Sequence, residues 1–219
     1  MSARLIPPEG FASRLERECA PFKLAWSEER RRATFALLER YATLVATWNE
    51  RVDLTAARSA DELVDLLFAD ALAISTALPI DAEQAWCDVG SGVGAPGIPL
   101  ALVAPTRMCL VEPREKRVAF LRTAVGTLDR SDIRIERCRS QSLASKSTDF
   151  AMSRATLPPA EWLREGGRLA RRGVWVLLAK AELPPGNDRQ IIADLRYQWP
   201  LTGVARRAVC VGNDGATVA

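Results

Sequence analysis

Residues 88–100 read DVGSGVGAPGIPL: an aspartate, glycines at alternate positions, a proline–glycine pair and then an apolar run. The apolar residues Ala85, Trp86 and Cys87 before it predict a strand. Ile98, Pro99 and Leu100 open a helix, with Pro99 in the first turn, where its missing N–H costs least. Between the two, Gly90, Gly92 and Gly94 allow positive φ and let a ligand approach the backbone closely. The helix N-terminus behind them is expected to offer free N–H groups and the positive end of a dipole. Glu112 closes the next apolar run, RMCLVE, 22 residues after Gly90. A carboxylate there can accept both ribose hydroxyls of a bound nucleoside.

The run from Gly92 to Gly97 also satisfies GxGxxG, so a nicotinamide or flavin dinucleotide competes for this loop. Three features weigh against it. Asp88 would set a negative charge against a pyrophosphate, whereas a cationic amino group would welcome it. Some eighty residues precede the loop, and Pro96 stiffens the turn where a pyrophosphate loop normally tightens. The reading therefore favours a nucleoside joined to an amino acid, S-adenosylmethionine, over a dinucleotide. A glycine-rich turn without a ligand is the third reading.

Outward from the loop, short apolar runs alternate with amphipathic stretches: AWCDVG, IPLALVA, RMCLVE, KRVAFLRTAV, IRIERC, TDFAMSRA, EWLREGGRLA and GVWVLLAK. That alternation predicts an α/β fold, a parallel sheet with helices on both faces, over residues 81–219. Near the end, residues 196–199 and 205–211 are candidate strands, and Asn213, Asp214 and Gly215 form a turn that closes a hairpin or frays. Residues 1–80 read instead as a helical N-terminal cap. Ser27 before Glu28 and Glu29 is an N-cap with an acidic first turn, and Phe35, Leu38, Tyr41, Val45 and Trp48 form one apolar face. A second helix opens at Ser59, with Glu62 completing a capping box, and its stripe is Leu63, Leu67, Asp70, Ile74 and Leu78. Asp70 is the odd member, either a residue at the stripe's edge or a polar group facing a cleft.

The chain of 219 residues is 48% hydrophobic and carries a net charge of +3, which describes a folded chain with a real core. Of its 30 cationic side chains, 26 are arginine, a bias that suits phosphate recognition or simply reflects codon usage. Histidine is absent, which excludes His-based triads, His-ligated zinc and imidazole bases. The five cysteines are scattered without a CxxC pair, so neither a disulfide framework nor a metal site is expected; Cys87, Cys109 and Cys138 lie in strand-like runs as buried thiols. With no signal peptide or membrane span in the sequence, a cytoplasmic protein without membrane contact is expected.

The loop DVGSGVGAPGIPLAL, the helix KRVAFL at 116–121 and the tripeptide Ser153, Arg154, Ala155 together resemble the bacterial 16S rRNA guanine-N7 methyltransferases, also called glucose-inhibited division protein B. Those enzymes carry DxGSGxGxPGIPLA, KRxxFL and SRA in the same order. Trp48 and Asn49 with residues 53–56, DLTA, resemble their WN…NLTA segment, and Asp70, Ala71 and Leu72 resemble their DSL. The similarity covers roughly residues 35 to 180. Departures surround the loop. Asp53 replaces an Asn, Leu67 a His and Ala71 a Ser; Ala95 replaces a bulky residue, Gln141 and Ser142 replace two glutamates, and Lys180 is followed by Ala181 where the family has Gly.

The resemblance implies a class I, S-adenosylmethionine-dependent methyltransferase fold with a mostly parallel seven-stranded sheet. It places Gly90, Gly92 and Ala95 around the methionine part of the cofactor, with Gly94 also in contact with the cofactor, Asp88 orienting the loop or the amino group, Glu112 at the ribose, and Ser140 and Gln141 at the adenine. Arg154 is expected at the mouth as a positioning residue, facing the cofactor carboxylate or the target base; the alternative is a surface ion pair. Asn49, Asp70, Lys116, Arg117, Arg139 and Lys180 are the substrate candidates, with Arg139 equally open to plain surface charge. The implied partner is 16S rRNA or the small ribosomal subunit, acted on by a monomer without a metal. Guanine N7 loses no proton on methylation, so no general base is needed, which suits a chain without histidine. Two rival readings are a divergent paralogue acting on another RNA or a small molecule, and a cofactor-binding protein without transfer activity.

Overall fold

The computed structural model describes residues 5–77, 79–179, 182–184 and 189–213. A seven-stranded sheet runs in the order β3-β2-β1-β4-β5-β7-β6. Its strands are β1 (Ala85–Val89), β2 (Arg107–Val111), β3 (Ile133–Glu136), β4 (Thr148–Arg154), β5 (Ala170–Leu178), β6 (Ile191–Gln198) and β7 (Ala205–Gly212). β7 alone runs opposite to the other six strands, pairing antiparallel with β5 and β6. The chain builds outward from β1 to β3, then returns to place β4 on the other side of β1. The carboxyl ends of β1 and β4 therefore flank a topological switch point, where an open α/β sheet binds its ligand.

Alternation along the central strands sorts side chains onto two faces. Trp86, Met108, Leu110, Phe150, Met152 and Trp175 join a large core with α1 (Ala12–Cys19), α2 (Glu28–Asn49), α3 (Ala60–Ala77), α4 (Gly97–Val103) and α5 (Glu115–Thr127). Cys87, Val89, Val111, Ala151, Val174 and Val176 face the other way, against Trp162 and Leu163 of α6 (Pro159–Leu169). The N-terminal helices and the sheet thus share one apolar cluster.

Local rules account for the helix ends. Ser27 accepts from Arg30 N at 3.2 Å, and Ser59 from Glu62 N at 3.1 Å. Glu62 reaches back to Arg58 N at 2.7 Å, one residue before the position a capping box predicts. Helix α3 departs from the amphipathic stripe read from the sequence. From Leu63 to Ile74 every residue but the half-buried Leu66 is buried, Asp65 and Asp70 included, because the helix runs between α1, α4 and the β6–β7 hairpin. Leu78 lies outside the described residues.

Three further expectations are corrected. Cys138 follows β3 instead of lying in it and is half-buried, because the strand ends at Glu136. Cys109 is half-buried as well. The strand expected at 196–199 begins at Ile191, and Trp199 lies beyond its end. Of the terminal turn only Asn213 is described; its side-chain amide donates to Gly167 O and Ala170 O at 2.8 and 2.6 Å.

Candidate active site

The glycine loop leaves β1 at the switch point. Gly90, Gly92 and Gly94 take φ values of 74°, 58° and 92°, a region that penalises any Cβ. Gly90 N donates to Val111 O at 2.8 Å, which hooks the loop back over β2. A Cβ on Gly90 would meet Thr156 Oγ1 at 2.1 Å, and one on Gly97 would meet Leu110 Cδ2 at 2.6 Å. Ser153 of β4 and Thr156 just past its end brace the same turn: both hydroxyls donate to Val89 O, at 2.9 and 3.1 Å. Tyr41 of α2 donates to Val93 O at 2.6 Å. Ala95 is buried beneath the loop.

Asp88 is 1% exposed, and its Oδ2 accepts from Gly97 N at 3.0 Å. Burial pushes its carboxyl up to about 7, against the opposing pull of that N–H and of Arg154. Ile98 N donates to Gly94 O at 2.6 Å. The helix N-terminus expected to present free N–H groups is therefore partly satisfied from within, as buried backbone donors require. A pyrophosphate there would have to displace the chain's own carboxylate.

Glu112 is 2% exposed immediately after β2. Its Oε2 accepts from Gly92 N at 3.0 Å and its Oε1 from Arg114 N at 2.9 Å, and each oxygen keeps a second lone pair. Arg117 Nη1 lies 3.9 Å from it, while Lys116 is exposed. After β3, a buried Ser140 opens a 3-10 turn (Ser140–Ser142) whose other residues, Gln141 and Ser142, are exposed, as is Arg139 before it. Arg168 of α6 fixes that turn. It donates to Ser140 O and Leu143 O, both at 2.8 Å, while gripping Glu165 through two N–H groups. Sequence reading missed Arg168; its i,i+3 spacing from Glu165 was the one available signal.

Arg154 ends β4 and points at α3. Its Nη1 donates to Leu66 O at 2.6 Å and to Asp70 Oδ2 at 3.0 Å. Asp70 Oδ1 accepts from Tyr197 Oη at 2.7 Å and from Trp199 Nε1 at 3.3 Å. Asp70 is therefore a polar hub facing a cleft, and Arg154 is no surface ion pair. Asp70, Arg154, Tyr197, Trp199 and Arg206 line a cavity of about 510 Å³ together with apolar residues that include Trp162 and Val176. The Arg206 guanidinium stacks 3.8 Å from the Trp199 ring centroid. Sequence reading did not mark Tyr197, Trp199 or Arg206, because nothing local sets them apart from ordinary strand and turn residues.

The remaining candidates scatter. Asn49 braces the loop after α2, accepting from Leu54 N and Thr55 N at 2.9 Å each. Trp48 packs edge-on to Phe120 at 5.5 Å, as a core residue does. Arginines outside that candidate set are engaged locally: Arg30 donates to Val103 O at 3.0 Å, Arg31 pairs with Glu16, and Arg171 pairs with Asp149 at 3.0 Å. Lys180 lies outside the described residues. Among the described residues no helix is long and apolar enough to cross a membrane, and no group of three or more acidic, Cys or His side chains is placed to hold a metal.

The family model for rRNA small subunit methyltransferase G (GidB) matches residues 34–190, from α2 through the glycine loop and the SRA turn. The chain belongs to this family. It is 36% identical over 170 residues to the ribosomal RNA small subunit methyltransferase G of Xanthomonas axonopodis pv. citri, covering 76% of this chain and 77% of that one. Against the enzyme of the same name from Stenotrophomonas maltophilia K279a the identity is 35% over 174 residues, 78% of this chain and 79% of the other. A solved S-adenosylmethionine-dependent methyltransferase from Aquifex aeolicus superposes with a TM-score of 0.50 at 13% identity, over 68% of this chain and 91% of that one, and supports the fold alone. The fold is that of the class I methyltransferases. In this chain the SRA tripeptide reaches the start of the glycine-rich stretch, Ser153 Oγ donating to Val89 O at 2.9 Å.

Proposed function

We propose that the protein methylates N7 of a guanine in 16S rRNA, using S-adenosylmethionine, with residues 1–80 as a cap over the methyltransferase core. The observation that carries this reading is the junction of the Asp88-sealed loop with the Arg154–Asp70 cavity at one switch point, in a chain of the methyltransferase G family. The loop fits the cofactor better than a dinucleotide. Glu112 has lone pairs left for two ribose hydroxyls; Gly90, Gly92, Gly94 and Ala95 give close backbone approach for the methionine part, with Asp88 beneath. Ser140 and Gln141 border the adenine. When bound, S-adenosylmethionine supplies an electrophilic methyl group on a sulfonium, so the chain's task is alignment.

Arg154 is suited to hold the base without spoiling the nucleophile. Its Nη1 is committed to Leu66 and Asp70, which leaves the Nε and Nη2 side for the ligand. A fork on both O6 and N7 of guanine, common in DNA readout, would occupy the lone pair that must attack. Donation to O6 alone leaves N7 open. The guanine gains positive charge as the methyl arrives, and Asp70 offsets the arginine beside it. No proton moves, so the lack of a nearby base is no obstacle. Lys116, Arg117 and Arg139, at the cofactor edge, are proposed phosphate contacts of the rRNA.

Arg154→Lys keeps the charge and loses the planar fork. Single-turnover methyl transfer to small-subunit particles from an unmethylated strain is expected to slow more than tenfold in this variant, with cofactor affinity within threefold. A wild-type rate would remove Arg154 from the site. Failure of the wild-type protein to methylate 16S rRNA at a guanine N7 would overturn the function itself.

A further inference from the structure

Three side chains that methyl transfer does not use lie in one row across β1, β2 and β3. Cys87 and Cys109 are register partners in the parallel β1–β2 pair and share the α6 face of the sheet. Arg134 is the register partner of Cys109 on β3, and its Nη2 lies 3.7 Å from Cys109 Sγ. Helix α6 packs on β4 and β5, and between β3 and β4 the chain supplies only the short 3-10 turn. The β2–β3 end of this face is consequently thinly covered. Cys87 is buried, Cys109 and Cys138 are half-buried, and the Arg134 side chain is 70% exposed.

A thiolate is stabilised by neighbouring N–H and S–H donors and by cationic charge. Cys109 has both. The Cys87 S–H, chiefly, and then Arg134 hold its thiol below the ordinary value against the burial that pushes it up, and Cys87 is raised in consequence. Glu136 opposes this, its Oε1 being 3.3 Å from Arg134 Nε, and Asp88 adds negative charge beside Cys87. The other thiols go the opposite way: burial pushes Cys19 and Cys210 up to about 12, and Cys138 is raised too.

We propose that Cys109 is a hydroperoxide-reactive site with Cys87 as its resolving thiol. The Cys109 thiolate attacks a peroxide oxygen; the S–O bond forms, the O–O bond breaks, and hydroxide leaves. Cys87 sulfur then attacks the sulfenic acid sulfur. The S–S bond forms, the S–O bond breaks, and the departing hydroxyl takes the Cys87 proton as water. Two electrons pass from the sulfur pair to the peroxide. Adjacent strands hold their Cα atoms about 4.7–4.9 Å apart, within the disulfide range, but a disulfide draws the Cβ atoms to about 3.5–4.5 Å. Closure therefore pulls β1 against β2 one residue before Asp88, the anchor of the glycine loop. On the cofactor reading proposed above, oxidation weakens S-adenosylmethionine binding.

The test is iodoacetamide labelling of the full chain at several pH values, read peptide by peptide, followed by hydrogen peroxide treatment and non-reducing peptide mapping. Cys109 is expected to label at least tenfold faster than Cys138 at pH 7 and to slow in Arg134→Ala. Peroxide is expected to give a Cys87–Cys109 disulfide, and Cys87→Ser a dimedone-trapped sulfenic acid on Cys109. Labelling of Cys109 no faster than Cys138, or a peroxide product that omits it, overturns the site. Calorimetry on peroxide-treated protein is expected to show at least tenfold weaker cofactor binding, restored by dithiothreitol. An unchanged affinity in the disulfide form overturns the coupling to the loop. Reduced protein that binds no S-adenosylmethionine overturns the cofactor reading and leaves the thiol chemistry to be judged by its own labelling.

Discussion

The two sides of the switch point are built by different means. The cofactor side is made of backbone: glycines at positive φ, N–H groups hooked to Val111 O, and two carboxylates, Asp88 and Glu112, each accepting from the loop itself. The acceptor side is made of side chains brought from distant segments, with Asp70 of α3 joined to Arg154 of β4 and to Tyr197 and Trp199 near the β6–β7 hairpin. Family motifs cover the first side almost without a break, whereas Tyr197 and Trp199 lie beyond the stretch that the family model matches. A backbone cradle tolerates almost no change of sequence, since a Cβ in the wrong place has nowhere to go. A side-chain hub tolerates drift as long as its donors and acceptors still pair.

The sharpest way to break this contrast is at Gly90. Gly90→Val sets a branched side chain at a φ of 74° against Thr156 and is expected to weaken S-adenosylmethionine binding at least a hundredfold by titration calorimetry. Gly92→Ala meets nothing closer than 3.6 Å and is expected to cost less than tenfold. Equal losses in the two variants would show that backbone conformation, and not steric approach, limits the loop.

On the other side, Asp70→Ala leaves the Arg154 guanidinium, the Tyr197 hydroxyl and the Trp199 indole N–H without their shared acceptor. Removing one partner of a buried charged network costs about 3–5 kcal/mol. Urea denaturation is expected to show a loss of that order, while cofactor affinity in the folded fraction stays within threefold. A loss below about 1 kcal/mol would mean that the hub does not hold the hairpin to α3.

The smallest expected effect sharpens the comparison at its edge. Glu18 of α1 is fully buried, and neither of its oxygens has a hydrogen-bond donor. It lies beside Asp65, which accepts from Leu201 N, Thr202 N and Thr202 Oγ1 at the turn between β6 and β7. Burial, first, and Asp65, second, push the Glu18 carboxyl up to about 10, so the native chain holds a proton that the unfolded chain releases near 4.5. The stability tied to that proton is complete below pH 4.5 and declines as pH rises toward 10, at about 1.4 kcal/mol per unit at most. Asp88 contributes with the same sign only up to about pH 7. Between pH 7.5 and 8.5 wild-type stability is therefore expected to fall more steeply than that of Glu18→Gln, and parallel slopes would sink the assignment.

What was legible in the sequence follows the same division. Ser27, Ser59 and the strand–loop–helix around Gly90 were readable because each is decided by residues a few positions apart: a hydroxyl three residues before an N–H, or a glycine where φ must be positive. The described members of the α3 stripe are all buried, but the burial of most of the remaining helix was not legible, because it depends on what packs there, and α1, α4 and the hairpin all do. Asn49 was legible as a polar residue but not as a loop brace, since its use by Leu54 and Thr55 depends on how the chain turns after α2.

The sequence by itself determined the α/β class, the loop, the position of Glu112 and the lack of an imidazole base, all of them properties of composition or of contiguous pattern. Only the tertiary structure decided that Asp88 seals the helix behind the loop, that Arg154 turns toward α3, and that Tyr197 and Trp199 complete the cavity. The Asp70 contacts to Arg154 and Tyr197 span 84 and 127 residues. No local pattern encodes such a contact, because its geometry exists only once the sheet has set its strand order and β7 has turned back beside β5.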